Sequence, residues 1–502
     1  MTTNQVITTN KTQTSEKFVS DLPKSSKELP DILHRSRFSQ ILRKGNIYCI
    51  YHTLSLRIVY GGRILDDLFK AFKVPVPLKQ VLQQCSENHS PDTLYQIITD
   101  LTKKGLLIHD SSDDSKTYKS IYYRALNQYH IQHMYFLPTI KCNYQCKYCF
   151  VEDEGRHQTS SFMNISTAEE TIRTFAKLTK ESGNASVTFY GGEPLLNKQT
   201  SFFALRLLRQ LESEGEFKNG CRISLLTNGS LVDDEVISVL QETHPAIGVS
   251  IDGPKHLHDA ARVDEHGHGT FNVSLCGYKR LQDAGLNPGI SCTLNAINID
   301  FIDEIVDFII CDLKPASMGF NLLLPQTSGK KPCSDLDHAF ASRQLIKAFI
   351  RLREAGIYED RLMRRVRPFL ARQLHCKDCM GVGGQIVVKP DGHIGPCQAF
   401  LGVDDNKYFP IDIKHLASQG ENISSASVYD EPLFNEWRQR FPLNMDKCTD
   451  CLAISVCGGG CPYAAVITDG SIWEIDSRIC HQAKNILEWM IWDTYKNMKE
   501  QQ

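Results

Sequence analysis

The chain has no run of 18 apolar residues, so no membrane-spanning helix is expected. Its opening residues, MTTNQVITTNKTQTSEK, hold no apolar core segment and do not read as a secretory signal. Neither charge dominates: 56 Lys and Arg stand against 58 Asp and Glu, a net charge of −2, which gives no reason to expect nucleic-acid binding. Hydrophobic residues make up 41% and charged residues 23%, so material for ordinary cores is present, and 502 residues leave room for about three domains. Cysteine is plentiful, at 18 residues. So many thiols without an export signal argue against a disulfide scaffold and for a reducing compartment, so a cytoplasmic protein is expected.

Residues 1–37 form an expected tail, rich over its first 30 positions in Thr, Ser, Asn and Lys and read as disordered. Residues 38–110 read as a compact unit: strands at Asn46–Tyr51 and Ser55–Tyr60, amphipathic stretches at Arg63–Phe72 and Leu78–Cys85, a helix at Pro91–Lys104 with Leu94, Ile97, Ile98 and Leu101 on one face, and a strand at Leu106–His109. That order suggests a small winged-helix domain. Residues 111–131, polar and turn-prone, read as a linker.

Over residues 132–364 strand and helix alternate. Strands are expected at Met134–Ile140, Ala185–Tyr190, Arg222–Thr227, Ala246–Ile251, Gly289–Leu294 and Met318–Leu324, and Ser166-x-x-Glu169 reads as a capping box opening a helix to Glu181. Six strand–helix units favour an α/β fold, a parallel sheet curled into a partial (β/α)6 barrel of the TIM type, with its active site at the C-terminal strand ends. From residue 365 to 502 periodicity fades and Gly and Cys become frequent. Little apolar material is expected there for a conventional core, so metal would supply the folding energy. Asp391-Gly392 reads as a hairpin turn between Gln385–Lys389 and His393–Cys397.

Eleven cysteines fall into three groups: Cys142-x3-Cys146-x2-Cys149; Cys376-x2-Cys379 with Cys397; and Cys448-x2-Cys451-x5-Cys457-x3-Cys461 with Cys480. Soft thiolates suit iron–sulfur clusters, four closing a [4Fe–4S] cubane, so three leave one iron open and eight can close two clusters. Zinc is the other reading: the first group would need a fourth ligand, for which His157 is the near candidate, and the eight later thiolates could hold two zinc ions. The remaining Cys49, Cys85, Cys221, Cys276, Cys292, Cys311 and Cys333 read as core or incidental residues.

The segment CNYQCKYCF, with Tyr148 before the last cysteine, resembles the radical S-adenosylmethionine superfamily. Tyr190-Gly191-Gly192-Glu193-Pro194 resembles its motif for the methionine amino group, Glu193 accepting from the ammonium and the glycines allowing close approach. Thr227-Asn228-Gly229 looks like a further strand-end motif. Ser250-x-Asp252-Gly253-Pro254, His258-Asp259-x-x-Arg262 and Gly269-Thr270-Phe271 resemble the SPASM branch. The resemblance implies that Cys142, Cys146 and Cys149 hold the reactive cluster, and that Ser250 and Arg262 contact the cofactor's ribose and carboxylate. The C-terminal cysteines, with Gly392 five positions before Cys397, also resemble that branch. It implies one auxiliary cluster on Cys376, Cys379, Cys397 and Cys461, and another on Cys448, Cys451, Cys457 and Cys480. Residues 38–110 resemble the PqqD-like element that takes a leader peptide as an added strand; a DNA-binding winged helix is the competing reading.

These resemblances imply a SPASM-type maturase of ribosomally made peptides that uses S-adenosylmethionine and three [4Fe–4S] clusters. Its partners would be a precursor peptide with a leader and an electron donor such as flavodoxin or ferredoxin, with no nucleic acid and no membrane. The expected product is a thioether or carbon–carbon cross-link. Sulfatase maturation to formylglycine and peptide epimerisation are the other enzyme readings. Gln398 stands where sulfatase maturases usually carry an Asp after the matched cysteine. An iron–sulfur scaffold or winged-helix sensor is the non-enzyme alternative.

Overall fold

The computed structural model describes residues 29–127, 130–151, 162–180, 182–326 and 336–500. Most of the expected tail, His157 and Cys333 lie outside the described residues. The chain divides into two compact units, residues 1–119 with 487–502, and residues 120–486.

In the smaller unit, strands β2 (Ser39–Lys44), β3 (Ile47–His52) and β4 (Ile58–Gly61) form an antiparallel sheet, and β1 (Ile32–Arg35) pairs with β5 (Val76–Pro77) and β6 (Leu107–Ile108). Helices Ile64–Ala71, Leu78–Cys85 and Pro91–Lys103 follow the sheet. The last begins with Pro after extended Ser90 and buries Leu94, Ile98 and Leu101, one per turn, against Leu33, Ile50, Leu65, Leu68 and Phe72. Three strands escaped the sequence pattern. β1 lies inside the expected tail, β5 spans two residues, and β2 is polar in sequence and is defined by its pairing with β3. The expected linker at 111–131 is largely helix, Ser112–Asn127. Asp114 in its first turn accepts from Ser36 Oγ at 2.6 Å and Arg37 N at 2.8 Å. That tie is long-range, which local composition does not reveal. The end of the C-terminal helix (Ser477–Glu500) completes this unit: Tyr60 donates to Ile491 O at 2.6 Å and its ring lies 5.1 Å from that of Tyr495.

The larger unit is built on one ten-stranded sheet. Its strands are β7 (His133–Thr139), β8 (Ala185–Gly191), β9 (Cys221–Thr227), β10 (Ala246–Ser250), β11 (Gly289–Leu294), β12 (Ser317–Leu322), β13 (Tyr358–Glu359), β14 (Gln385–Val388), β15 (His393–Gly395) and β16 (Ile411–Asp412). The order runs β13 through β7 in descending sequence, then β14, β15 and β16. Pairing is parallel from β13 to β14 and antiparallel beyond it. Parallel neighbours need crossovers, which helices such as Ile165–Leu178, Lys198–Ser213 and Asp234–Thr243 supply. The first of these is capped by Asn164, whose side chain accepts from Thr167 N, rather than by a box at Ser166; Glu169 pairs with Arg173 instead.

β14 and β15 form the expected hairpin, with Gly392 at φ +90° in the turn. The C-terminal region does hold an apolar core, contrary to expectation. Phe400, Tyr408, Phe409, Trp437, Tyr463 and Ile472 pack in one buried cluster, with the Phe400 and Tyr408 rings stacked 3.7 Å apart. These aromatics are scattered between glycines and cysteines, so no period marks them.

Candidate active site

The first cysteine group lies directly after the C-terminal end of β7. Its loop is pinned on both sides. Gln145 N donates to Val263 O at 2.8 Å and Lys147 N to Ala261 O at 2.9 Å, Tyr144 Oη lies 3.1 Å from Ser274 Oγ, and Asn143 Nδ2 donates to Ser230 Oγ at 2.8 Å. Tyr144 N donates to Cys142 Sγ at 3.4 Å, Asn228 Nδ2 approaches the same sulfur at 3.9 Å, and Arg262 Nη1 lies 4.0 Å from Cys146 Sγ. Burial pushes the Cys142 thiol up to about 12, with Glu193 next in effect, so a bound cation would be needed to hold it as thiolate.

Gly191 and Gly192 make that loop possible. A Cβ on Gly191 would stand 2.2 Å from Thr139 O, and one on Gly192 would stand 2.0 Å from Lys141 O. What approaches these glycines is the chain's own cysteine loop: Gly192 N donates to Thr139 O at 3.1 Å and Glu193 N to Lys141 O at 2.9 Å. Glu193 is 1% exposed, and its carboxylate accepts from Leu195 N at 3.1 Å, Thr227 Oγ1 at 2.8 Å and Asn228 N at 2.7 Å. Burial pushes its carboxyl up to about 7, while those hydrogen bonds pull it down. Glu193 thus knits the ends of β8 and β9 together beneath the cysteine loop.

Asp252, fully buried after β10, gathers a second network. It accepts from Tyr148 Oη, from Arg262 Nε at 2.8 Å and Nη2 at 3.3 Å, and from Thr293 N at 2.8 Å. The Arg262 guanidinium lies over the Tyr148 ring, 5.4 Å from its centroid. Burial alone would lower Arg262, yet Asp252, Tyr148 and Cys146 hold it well above its ordinary value. The remaining motif residues clamp this arrangement. His258 Nε2 lies 3.2 Å from Thr270 Oγ1, Thr270 Oγ1 donates to Arg262 O at 3.0 Å, and Asp259 accepts from Phe271 N at 2.8 Å. Ser250 closes β10 at the same sheet end. Tyr148, Asp252 and Arg262 therefore meet, and Asn143, Tyr144, His258 and Thr270 join the site although the sequence argument did not single them out as ligands or supports.

The later cysteines gather in two places. Cys448, Cys451, Cys457 and Cys480 line one cavity, together with Pro442, Met445, Ile454 and Gly459. Cys397 and Cys461 pack in the aromatic cluster with Cys149, Tyr135 and Tyr190, and Cys379 interacts electrostatically with Cys461. Cys379 Sγ accepts from Gly381 N at 3.3 Å and Cys397 Sγ from Ala399 N at 3.4 Å, amide contacts that favour thiolate. Cys376 shares the Cys379 loop but has Arg124 and Lys377 as its charged neighbours. The two gatherings touch: Asp378 N donates to Gly458 O at 2.9 Å, and a Cβ on Gly458 would meet Asp378 N at 2.3 Å. Among the described residues no three His, Cys, Asp or Glu side chains meet as ligands of a single ion would; the thiols stand around a cavity. Of the other cysteines, Cys49, Cys85, Cys221 and Cys292 are buried and Cys276 and Cys311 exposed.

One face of the parallel sheet is apolar and buried, with Met134, Phe136, Val187, Phe189, Leu225, Ile290, Met318 and Phe320. The alternate positions are mostly small or polar, as at His133, Tyr135, Ser186, Ser224, Gly248, Ser291 and Asn321, with Leu226 beside Gly248 as an apolar exception. Side chains bond across that face, His133 Nδ1 to Ser186 Oγ at 2.9 Å and Asn321 Nδ2 to Ser291 Oγ at 3.0 Å. Such a face can admit a polar chain while keeping the strand ends rigid.

Residues 136–309 match the model of the Radical SAM superfamily. The chain is 23% identical over 492 residues to the radical SAM cyclopropyl synthase TigE of Paramaledivibacter caminithermalis, a match covering 92% of this chain and 96% of that protein. It is 24% identical over 374 residues to the cysteine-type anaerobic sulfatase-maturating enzyme of Clostridium perfringens, covering 69% and 93%. Among the solved structures that share the fold are two with a peptide bound. One is anSMEcpe with bound AdoMet and Cp18Cys peptide (TM-score 0.59, 21% identity, 74% of this chain and 100% of that one). The other is Streptococcus suis SuiB bound to precursor peptide SuiA (TM-score 0.52, 17% identity, 89% and 99%). The chain thus carries a Radical SAM domain and is a radical SAM enzyme, which implies S-adenosylmethionine and a [4Fe–4S] cluster. Three thiols on a loop closed by backbone bonds, with cationic Arg262 beside Cys146, are a donor set that fits that pair.

Proposed function

We propose that this radical SAM enzyme is a maturase of a ribosomally made peptide, installing a thioether or carbon–carbon cross-link. The observation that carries this reading is the extent of the match to TigE. At 92% of the chain it must take in most of the smaller unit, whereas the sulfatase-maturase match leaves about a third of the chain outside. A cyclopropane ring is one closure of the carbon–carbon class. The SuiB structure holds a precursor peptide, which fits a peptide substrate here.

When bound, the cluster and S-adenosylmethionine supply a carbon radical that takes a hydrogen atom from the substrate. Cys142, Cys146 and Cys149 would hold the cluster. Tyr148, Tyr190, Gly191, Gly192, Glu193, Asn228, Ser250, Asp252 and Arg262 would line or support the S-adenosylmethionine site. Asp252 orients Arg262 beside Cys146. Glu193 and the paired glycines hold the cysteine loop to the strand ends. The polar sheet face would receive the peptide, and the smaller unit, read as a winged-helix recognition element, would take the leader as an added strand on one of its two three-stranded sheets. Two auxiliary [4Fe–4S] clusters would occupy the C-terminal thiols: Cys376, Cys379, Cys397 and Cys461 for one, Cys448, Cys451, Cys457 and Cys480 for the other. The cavity lined by the second four supports that grouping. A flavodoxin or ferredoxin would supply electrons.

Formylglycine formation is disfavoured by Gln398, an amide where a carboxylate base would be needed. The test is co-expression with candidate precursor peptides without oxygen, followed by mass spectrometry. A loss of about two mass units mapped to one residue pair is expected for an oxidative cross-link. An unchanged mass with deuterium gained at one α-carbon would replace this reading with epimerisation, and formylglycine in a sulfatase peptide would replace it with sulfatase maturation.

A further inference from the structure

We propose that Arg440 is a shared counter-charge for the two C-terminal thiolate sites, raising the reduction potential of both auxiliary clusters at once. The inference rests on the two-cluster reading above. Arg440 is 0% exposed and among the largest fully buried side chains. Its guanidinium donates only to backbone carbonyls among the described residues: Gly460 O at 3.1 Å, Glu474 O at 3.1 Å, and Ile472 O. It forms no ion pair with a carboxylate among the described residues. The acid that acts on it, Asp476, is paired with Arg478 at 2.9 Å and accepts from Cys461 N at 3.0 Å. A guanidinium does not shed its proton in a protein, and a buried cation without an anion is costly. Asp476 supplies part of the balancing charge but is shared with Arg478, which leaves room for a further anion beside Arg440.

The location names that anion. Gly460 immediately precedes Cys461, and a Cβ on Gly459 would stand 3.3 Å from Arg440 Nη1. Gly459 also lines the cavity of Cys448, Cys451, Cys457 and Cys480. The guanidinium thus lies on the Gly458–Gly460 segment that joins Cys457, assigned to one cluster, to Cys461, assigned to the other. Cys461, then Asp476, then Cys457 and Cys379 interact with it electrostatically, so thiols of both groups feel the same charge. A cubane held by four thiolates is net negative and gains a further electron on reduction. A fixed cation in a dry, low-dielectric site favours that step.

The test is an EPR-monitored redox titration of the full-length, cluster-loaded protein and its Arg440→Gln and Arg440→Lys variants, with iron counted in each. The signal that responds to added S-adenosylmethionine marks the reactive cluster and serves as the internal control. Arg440→Gln should disfavour one-electron reduction of both auxiliary clusters tenfold or more, a drop of about 59 mV or more. Arg440→Lys should stay within about twofold of wild type because it keeps the charge. Loss of auxiliary iron in Gln but not in Lys would also support the inference, since charge would then be needed to assemble the sites. Unchanged potentials in Gln, a shift in one auxiliary cluster alone, or equal iron loss in Gln and Lys would overturn it in favour of a purely geometric role. A wild-type protein that binds fewer than two clusters besides the reactive one, about eight irons or fewer per chain, would overturn the two-cluster reading itself, and is told apart by its iron count before any variant is made.

Discussion

Replacing Asp252 by Asn tests the network that holds Arg262 against the cysteine loop. The change keeps the shape but removes the charge, and places an amide donor among groups that already donate. Asp252 accepts four hydrogen bonds, two of them from Arg262. The paired side chains are 9% and 0% exposed, so the screening that leaves surface pairs worth under about 1 kcal/mol does not apply. Removing one partner of a buried pair costs about 3–5 kcal/mol, mostly because the other charge is stranded. Urea unfolding of the metal-free protein, followed by circular dichroism and tryptophan fluorescence, should show that loss. The double variant Asp252→Asn/Arg262→Met should recover most of it, because no stranded charge remains. A single-variant cost under about 1 kcal/mol, or a double-variant cost equal to the sum of the two singles, would refute the argument.

Gly192→Ala drives a Cβ to 2.0 Å from Lys141 O, a backbone atom with no rotamer to yield. It should cost at least about 1–3 kcal/mol and release the reactive site's iron, about four atoms per chain by elemental analysis, while the C-terminal iron stays. Cys457→Ala should strip the cavity it shares with Cys448, Cys451 and Cys480 and destabilise the C-terminal region, seen as iron loss and faster proteolysis there, with S-adenosylmethionine binding retained. His52 in the smaller unit is lowered from 6.5 to about 4 by burial, with Asp114 pulling the other way. The unfolded chain takes up that proton first as pH falls, so stability is full above about pH 6.5 and declines toward pH 4, by up to about 3 kcal/mol. His52→Gln should flatten that part of the pH–stability curve, and an unchanged slope would count against the assignment.

The alternation that runs through residues 133–322 was legible because parallel strands are short apolar runs and their crossover helices carry 3.6-residue periodicity, as at Gly289–Leu294 and Asp234–Thr243. The cysteine groups were legible as spacings, since thiols gathered on one loop must be close in sequence. What stayed hidden depends on partners far along the chain. β2 is a strand only because β3 lies beside it, and Ser112–Asn127 is anchored by Asp114 reaching back to Ser36. Gly191 and Gly192 were visible as glycines, but that they clear space for Thr139 and Lys141 was not. Arg440 looks like any surface arginine until its surroundings close over it.

Cys149, Tyr190 and Tyr135 pack in the same cluster as Cys397, Cys461 and the C-terminal aromatics. The gap between the Cys142–Cys149 loop and the Cys397 and Cys461 thiols is therefore set by interlocked side chains. Close-packed interiors transmit strain and compress little. That stretch works as a gauge block of fixed length, so a single methylene added to Tyr463 or Phe400 should be felt at Cys149.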